Sequence, residues 1–340
     1  MLRVAVVGAG WAGEHHVQGA REIPEAVQVA CLVDVDAAFL QARAAELEVT
    51  RTSTDLDEVL ADPAIDAVSL CTPHDLHGPQ AIRAAEAGKH VLVEKPMATS
   101  VAQATDMLAA AEANGTRLYV AESATYSPMA AFLRDVVRQG RWLGELTSAS
   151  VTAGFRGPEY GYPGRRAWLG DLSQGGTGTW TLHGIHTVAQ LRYVLGEVRT
   201  VYARQHRAAS FQRGDVEATV SALLTLESGV AVQVVQTAET RPYADLGGYV
   251  LHGDRGSVRA GTSGCRVYTD DEDGTEVAYP ETGLSAFALE LRAFAEHVAG
   301  ASGGPTTGHS ERRSLAIVEA GYESMRTGQP VDLRERFGAL

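Results

Sequence analysis

The six residues Gly8-Ala9-Gly10-Trp11-Ala12-Gly13 follow an apolar, β-rich run, Leu2–Val7, and lead into a helix-like segment from Glu14. A G-x-G-x-x-G turn between a strand and a helix leaves few folds open. Gly8 permits a tight turn, Gly10 lets a pyrophosphate approach the backbone, and Gly13 lets helix and strand pack closely. Trp11 and Ala12 complete a loop whose N–H groups and positive helix end face phosphates. A second apolar strand, Gln28–Val33, ends in Asp34. A carboxylate there accepts hydrogen bonds from ribose hydroxyls and repels a 2′-phosphate, so the expected cofactor is NAD rather than NADP.

Strand and helix patterns then alternate. A helix is expected over Asp36–Leu47, a short one over Leu56–Leu60, and a buried strand over Ala67–Cys71 that ends in Thr72-Pro73-His74. The next helix is placed at Pro79–Ala87, with Gly88 in its C-terminal cap. A strand leads to Glu94-Lys95-Pro96, Ser100 caps a helix that ends at Asn114-Gly115, and Leu118–Ala121 is the last strand of this half. Repeated strand–helix units predict a doubly wound parallel sheet, a Rossmann domain over residues 1–121. Ligands sit beyond the carboxyl ends of such strands. That places Gly10, Pro73 and Lys95 along one rim, with Pro96 holding the turn after Val91-Leu92-Val93.

With 340 residues, 45% hydrophobic and 21% charged, the chain has room for a second domain, taken as 122–340, its C-terminal helix and tail packing back on the first. A net charge of −13 without basic blocks argues against nucleic acid and anionic membranes as partners. Cys31, Cys71 and Cys265 are scattered, which fits a reducing cytoplasm. No apolar run is long enough to span a bilayer, and no signal peptide precedes the first strand.

The second half begins with an amphipathic helix, Pro128–Gln139, closed by Gly140. Strands are expected at Leu146–Ala153, Val198–Gln205, Val216–Leu226 and Val230–Thr237, with shorter ones near Tyr249–His252, Ser257–Ala260, Cys265–Tyr268 and Glu276–Tyr279. Asp270–Asp273 reads as a solvated hairpin tip, Ala301–Gly308 as a loop, and Glu311–Thr327 as the closing helix. The segment Phe155–Leu172 is rich in Gly, Tyr, Arg and Trp, and Tyr160, Tyr162, Arg165 and Trp168 are candidates to stack on or hydrogen-bond a polyol. Tyr126 is a further candidate, on the loop after the last Rossmann strand. A helix opened by Gly175-Gly176-Thr177-Gly178 carries His183 and His186 and ends at Leu195-Gly196. A metal is not expected, because two histidines three residues apart lack a third convergent ligand.

The glycine loop with His16, Cys71-Thr72-Pro73-His74 with His77, and Ala87-Gly88-Lys89-His90-Val91 leading into Glu94-Lys95-Pro96 resemble the Gfo/Idh/MocA oxidoreductases, the glucose–fructose oxidoreductase and inositol dehydrogenase family. The resemblance runs to Gly328-Gln329-Pro330-Val331-Asp332, and it implies a second domain built on a large, mainly antiparallel open sheet with flanking helices. Family members commonly use that sheet for homodimer or homotetramer contacts. It also implies a Lys-Pro bond that is often cis, a Lys95 that contacts both substrate and nicotinamide, and His186 in the position of the catalytic histidine. Thr72, Pro73, His74, His77 and Glu94 join the cofactor side. The chain departs from the family at Leu182, where many members carry an Asp one helical turn before the histidine; Thr179, Thr181 and His183 are the nearby polar candidates. Thr125 stands where many relatives have an arginine.

The function this implies is hydride transfer between nicotinamide and a secondary alcohol of a sugar, cyclitol or related polyol. Lys95 stabilises the developing negative charge and His186 moves the proton, with His183 assisting. Two alternatives stay open: redox-assisted elimination or glycoside cleavage with NAD recycled, and a non-catalytic NAD-binding sensor.

Overall fold

The computed structural model describes residues 1–155, 167–170, 177–208, 216–239, 247–271, 273–301 and 303–340. The chain divides into two compact units, residues 1–123 with 283–312 and residues 124–282 with 313–340.

In the first unit, β1 (Leu2–Val7), β2 (Val27–Val33), β3 (Thr52–Ser53), β4 (Ala67–Leu70), β5 (His90–Glu94) and β6 (Leu118–Ala121) form one sheet in the order β3-β2-β1-β4-β5-β6. Every neighbouring pair is parallel. The connections are α1 (Trp11–Glu22), α2 (Ala37–Glu46), α3 (Leu56–Ala61), α4 (His74–Glu86) and α5 (Val101–Ala113). This is the Rossmann order, and its direction reverses between β1 and β4, where such sheets bind ligands. Apolar residues on nearly every strand make the sheet a buried layer: Val4, Leu92 and Tyr119 pack with Ile23 and with Leu291 and Phe294 of a helix from late in the chain, α9 (Ala286–Val298). Val6, Val17, Leu32 and Leu40 form a second cluster.

Two helices start earlier than their sequence signals suggested. α1 begins at Trp11 rather than Glu14, so half of the glycine loop is its first turn. α4 begins at His74, and Pro79 lies inside it. Proline reads as a helix start because it lacks an N–H; here it forgoes one ladder bond in the second turn instead.

The second unit has α6 (Pro128–Gln139), α7 (Thr179–Leu182), α8 (Gly184–Leu195) and most of α10 (Gly308–Thr327), followed by the short α11 (Leu333–Phe337). Among the described residues its strands are β7 (Leu146–Gly154), β8 (Val198–His206), β9 (Thr219–Leu226), β10 (Ala231–Thr237), β11 (Gly248–Gly253), β12 (Ser257–Gly261), β13 (Gly264–Tyr268), β14 (Asp273–Val277) and β15 (Val331–Asp332). They lie in the order β14-β13-β12-β11-β7-β10-β9-β8-β15. All neighbours are antiparallel except β7 and β10. One face is apolar: Val201, Leu224, Val232 and Leu251 pack with Leu133, Trp180, Val188 and Ile317. β9 alternates buried and exposed residues, the pattern of a sheet covered on one side. β9 starts at Thr219 rather than Val216, because Val216 turns into a separate apolar cluster. β14 starts at Asp273, inside the acidic stretch read as a hairpin tip, and pairs through Glu276 and Val277 with Arg266 and Cys265. Gly308, read as the end of a loop, opens α10.

Candidate active site

Three turns meet the carboxyl edge of the parallel sheet. The first is the glycine loop after β1. Gly8 has φ +100°, and a Cβ there would lie 2.4 Å from the Cys71 carbonyl oxygen at the end of the neighbouring strand. A Cβ on Gly13 would lie 2.0 Å from the Gly8 carbonyl oxygen. The loop therefore closes on itself and on the β4 turn only because both side chains are absent. Gly10 has nothing within 4 Å of where its Cβ would be, and it caps α1 with no side-chain hydrogen bond. The first N–H groups of a helix lack internal acceptors. An open approach, a capless helix start and its positive end together fit a pyrophosphate. Asp34 is buried at the loop: its Oδ2 accepts the Ala9 N–H at 3.0 Å and its Oδ1 accepts the Asp36 N–H at 3.1 Å. Beside it Val35 is 89% exposed, and Trp11 at the start of α1 is 54% exposed with its ring against His15 and Phe287.

The second turn, Thr72-Pro73-His74, runs from β4 into α4. Thr72 Oγ1 donates to Gln80 Oε1 at 2.7 Å. His74 is buried, with its ring 5.7 Å from that of His77. His77 is fully buried, and its nitrogens lie 2.9 Å from the Pro96 carbonyl oxygen and 2.8 Å from that of Thr72. Burial holds its pKa below the ordinary value, against the pull of the two carbonyls. The ring thus braces the β4 turn against the β5 turn, with both nitrogens turned to backbone oxygens.

The third turn is Glu94-Lys95-Pro96. The Lys95-Pro96 bond is cis. The Lys95 N–H donates to Glu94 Oε2 at 3.1 Å, and Lys95 is half-buried. The Glu94 carboxylate also meets His16 Nε2 at 3.3 Å. The sequence marks His16 only as part of a motif and does not single out Glu290 of α9, 3.7 Å from the same nitrogen. Its signal was a carboxyl among Phe287, Leu291 and Phe294, on a helix face that otherwise reads as core.

In the second unit the histidine segment is not one helix, as the sequence suggested. It breaks at His183, which ends α7 and caps α8 with φ −120° and ψ −29°. His183 and His186 are therefore not two positions on one helical face; their ring centroids are 6.2 Å apart. Both are partly exposed. The His183 ring lies 3.7 Å from that of Phe155, which the Thr237 carbonyl anchors through the Phe155 N–H at 3.0 Å. Leu182 is buried with Leu169, Val216 and Ala238, and Trp168 and Phe155 pack against that cluster. An aspartate side chain there would enter an apolar pocket. The carboxyl that serves this segment is Glu217, which lies just before β9 rather than within the strand its sequence pattern suggests. Its Oε1 accepts the Trp180 N–H and the Tyr322 hydroxyl, each at 2.8 Å, and its carbonyl accepts the Thr179 N–H at 3.2 Å. Burial raises its pKa, opposed by those donors. Glu217 thus caps α7 as a side chain from elsewhere in the chain. Thr181 donates to Tyr322 at 3.0 Å, Thr187 to Gln236 at 2.8 Å, and Gln190 to the Ala124 carbonyl at 2.9 Å. Tyr126 lies in a single turn of 3₁₀ helix, Ser123–Tyr126, and is partly exposed. Tyr160, Tyr162 and Arg165 lie outside the described residues. Among the described residues no three His, Cys, Asp or Glu side chains converge on a metal position, and no helix is long and apolar enough to cross a membrane.

A glycine loop with Asp34 on a 3-2-1-4-5-6 sheet defines a dinucleotide-binding unit. Residues 2–122 match the oxidoreductase family with an NAD-binding Rossmann fold, and residues 131–259 match the GFO/IDH/MocA C-terminal domain. The chain belongs to the Gfo/Idh/MocA oxidoreductase family. It is 28% identical to the uncharacterized oxidoreductase YrbE of Bacillus subtilis, over 96% of this chain and 95% of the relative. It is also 28% identical to the 1,5-anhydro-D-fructose reductase of Ensifer adhaerens, over 98% of this chain and 99% of that enzyme. Among solved structures, levoglucosan dehydrogenase in complex with NADH and levoglucosan has the same fold, with a TM-score of 0.87 at 21% identity over 98% of this chain and 99% of that one.

Proposed function

We propose that this chain is an NAD-dependent dehydrogenase acting on a secondary alcohol of a sugar, cyclitol or related polyol. The observation that carries the reading is the gathering of the glycine loop, Thr72-Pro73 and Lys95 at the carboxyl edge of one parallel sheet. Gly8, Gly10, Trp11, Ala12 and Gly13 would hold the pyrophosphate, and Asp34 the ribose hydroxyls. Thr72, Pro73, His74 and Glu94 would line the nicotinamide end, with His77 as the brace beneath. NAD, when bound, supplies a hydride acceptor. Lys95 donates a hydrogen bond to the substrate oxygen and stabilises the negative charge that develops on it as the C–H bond breaks. His186 accepts the hydroxyl proton, and imidazole suits that role because it titrates near neutral pH. His183 supports the same step, and Tyr126 and Trp168, with Tyr160, Tyr162 and Arg165, would contact the polyol. The substrate classes of the anhydro-sugar reductase and of levoglucosan dehydrogenase support a carbohydrate-like substrate. We place self-association, as a dimer or tetramer, on the open face of the nine-stranded sheet, where Leu223 is 44% exposed.

The test is a panel of monosaccharides, cyclitols, uronates, anhydro sugars and glycosides incubated with NAD and followed at the absorbance of reduced nicotinamide. Net NADH formation from a polyol is the expected result. Glycoside cleavage without net NADH would move the chain to redox-assisted elimination, and NAD binding without any turnover would make it a sensor.

A further inference from the structure

Behind the Glu94-Lys95 turn lies a buried group of side chains, of which the proposed reaction leaves His16, Ser69 and Glu290 unused. His16, on α1 and with no exposed surface, has Nδ1 2.6 Å from Ser69 Oγ and Nε2 3.3 Å from Glu94 Oε1. The other oxygen of that carboxylate accepts the Lys95 N–H at 3.1 Å. Glu290 of α9, also fully buried, stands 3.7 Å from His16 Nε2. All of these residues belong to the first unit. The Glu94 carboxylate accepts from Nε2, and the Ser69 hydroxyl can either donate to Nδ1 or accept from it. The Ser69 hydroxyl faces Cys71 Sγ at 3.7 Å. Burial works against a charge on His16, but Cys71, Glu94 and Glu290 outweigh it, and the ring's pKa stands well above the ordinary 6.5. Burial pushes Glu290 well above its ordinary 4.5, opposed by His16 and helped by Glu94 and Glu122.

We propose that His16 is a positioning residue for Lys95: its ring grips one oxygen of the Glu94 carboxylate while the other oxygen grips the Lys95 N–H, fixing the backbone from which the ammonium projects. This rests on the reading that Lys95 acts on the reacting oxygen, and it supplies the reason the ammonium is aimed. Misplacing a catalytic group by about 1 Å can cost on the order of a hundredfold in rate.

The chain has two lysines, Lys89 and Lys95, so protein labelled with [13C]lysine gives two resolvable side-chain Cε signals. Lys89 is the internal control, since its Nζ is tied to the Asp62 and Ile65 carbonyls at 2.7 and 2.8 Å. In His16→Gln, and separately in Glu94→Gln, which keeps an acceptor for the Lys95 N–H, the Lys95 signal is expected to shift or broaden while the Lys89 signal stays. Two unmoved signals, or two that move together, overturn the proposal. With a polyol that the panel shows to turn over, His16→Gln is expected to slow hydride transfer at least about tenfold at unchanged NADH affinity. In a Lys95→Ala background it is expected to cost nothing further. Equal losses in both backgrounds overturn the positioning role. A fully active Lys95→Ala overturns the assignment of Lys95 instead, and the NMR comparison still decides whether His16 holds the turn.

Discussion

Lysine-selective acylation of this chain has two side-chain targets, and one of them, Lys89, is 7% exposed with its ammonium bonded to two carbonyls. Lys95 is half-buried at the carboxyl edge of the sheet. We therefore expect a mild acylating reagent to modify Lys95 ahead of Lys89, with NADH slowing the reaction; peptide mass mapping checks both, and faster labelling of Lys89 would contradict the placement. Asp34 gives a second residue-scale expectation. A 2′-phosphate beside its carboxylate meets like charge, and neither Val35 nor Asp36 offers a cation. NAD(H) is expected to bind at least tenfold tighter than NADP(H), about 1.4 kcal/mol. Replacing Asp34 with Ser and Val35 with Arg should narrow the gap, and equal affinities for the unaltered chain would remove Asp34 from the ribose.

Elements were legible where one local rule governed them. The glycine loop, the caps at Ser100 and Gly140, and the strands ending at Asp34 and Glu94 each carry their own signal within a few residues. What stayed hidden depends on distant chain. The two-residue β3 has no period to read. The break at His183 is set by tertiary contacts: Glu217 caps α7 across 37 residues, and Trp180 donates to the Val318 carbonyl across 138. Glu290 reaches the β5 turn from α9, far along the chain. The apolar burial of Leu182 likewise explains why no aspartate stands there, and it makes a prediction. Leu182→Asp places an unpaired carboxylate among Leu169, Val216 and Ala238 and should cost on the order of 3 kcal/mol. Thermal unfolding measures this, and an undiminished melting temperature would mean that residue 182 does not point into that cluster.

For the molecule as a whole, the buried group around His16 ties stability to pH. Glu290 and His16 both hold protons more tightly when folded than their ordinary values of 4.5 and 6.5. Between the ordinary and the raised value the folded chain binds the extra proton, so stability falls as pH rises. Each contribution is complete below the ordinary value and is lost through the raised one. The melting temperature is expected to decline from mildly acid to alkaline pH, and Glu290→Gln should flatten that decline; an identical slope in the variant would remove Glu290 from the cause. Light scattering after chromatography tests self-association, and Leu223→Glu on the open sheet face should dissociate a dimer or tetramer into smaller species.

Charge stabilisation by the Lys95 ammonium on the reacting oxygen is measured most directly by the single-turnover rate of nicotinamide reduction in Lys95→Ala, with NADH affinity measured separately. We expect a loss on the order of a hundredfold to a thousandfold in that rate with affinity nearly unchanged. Lys95→Arg should recover little, because a planar guanidinium does not replace a compact ammonium. Normal hydride transfer by Lys95→Ala on a confirmed substrate would remove Lys95 from the reacting oxygen.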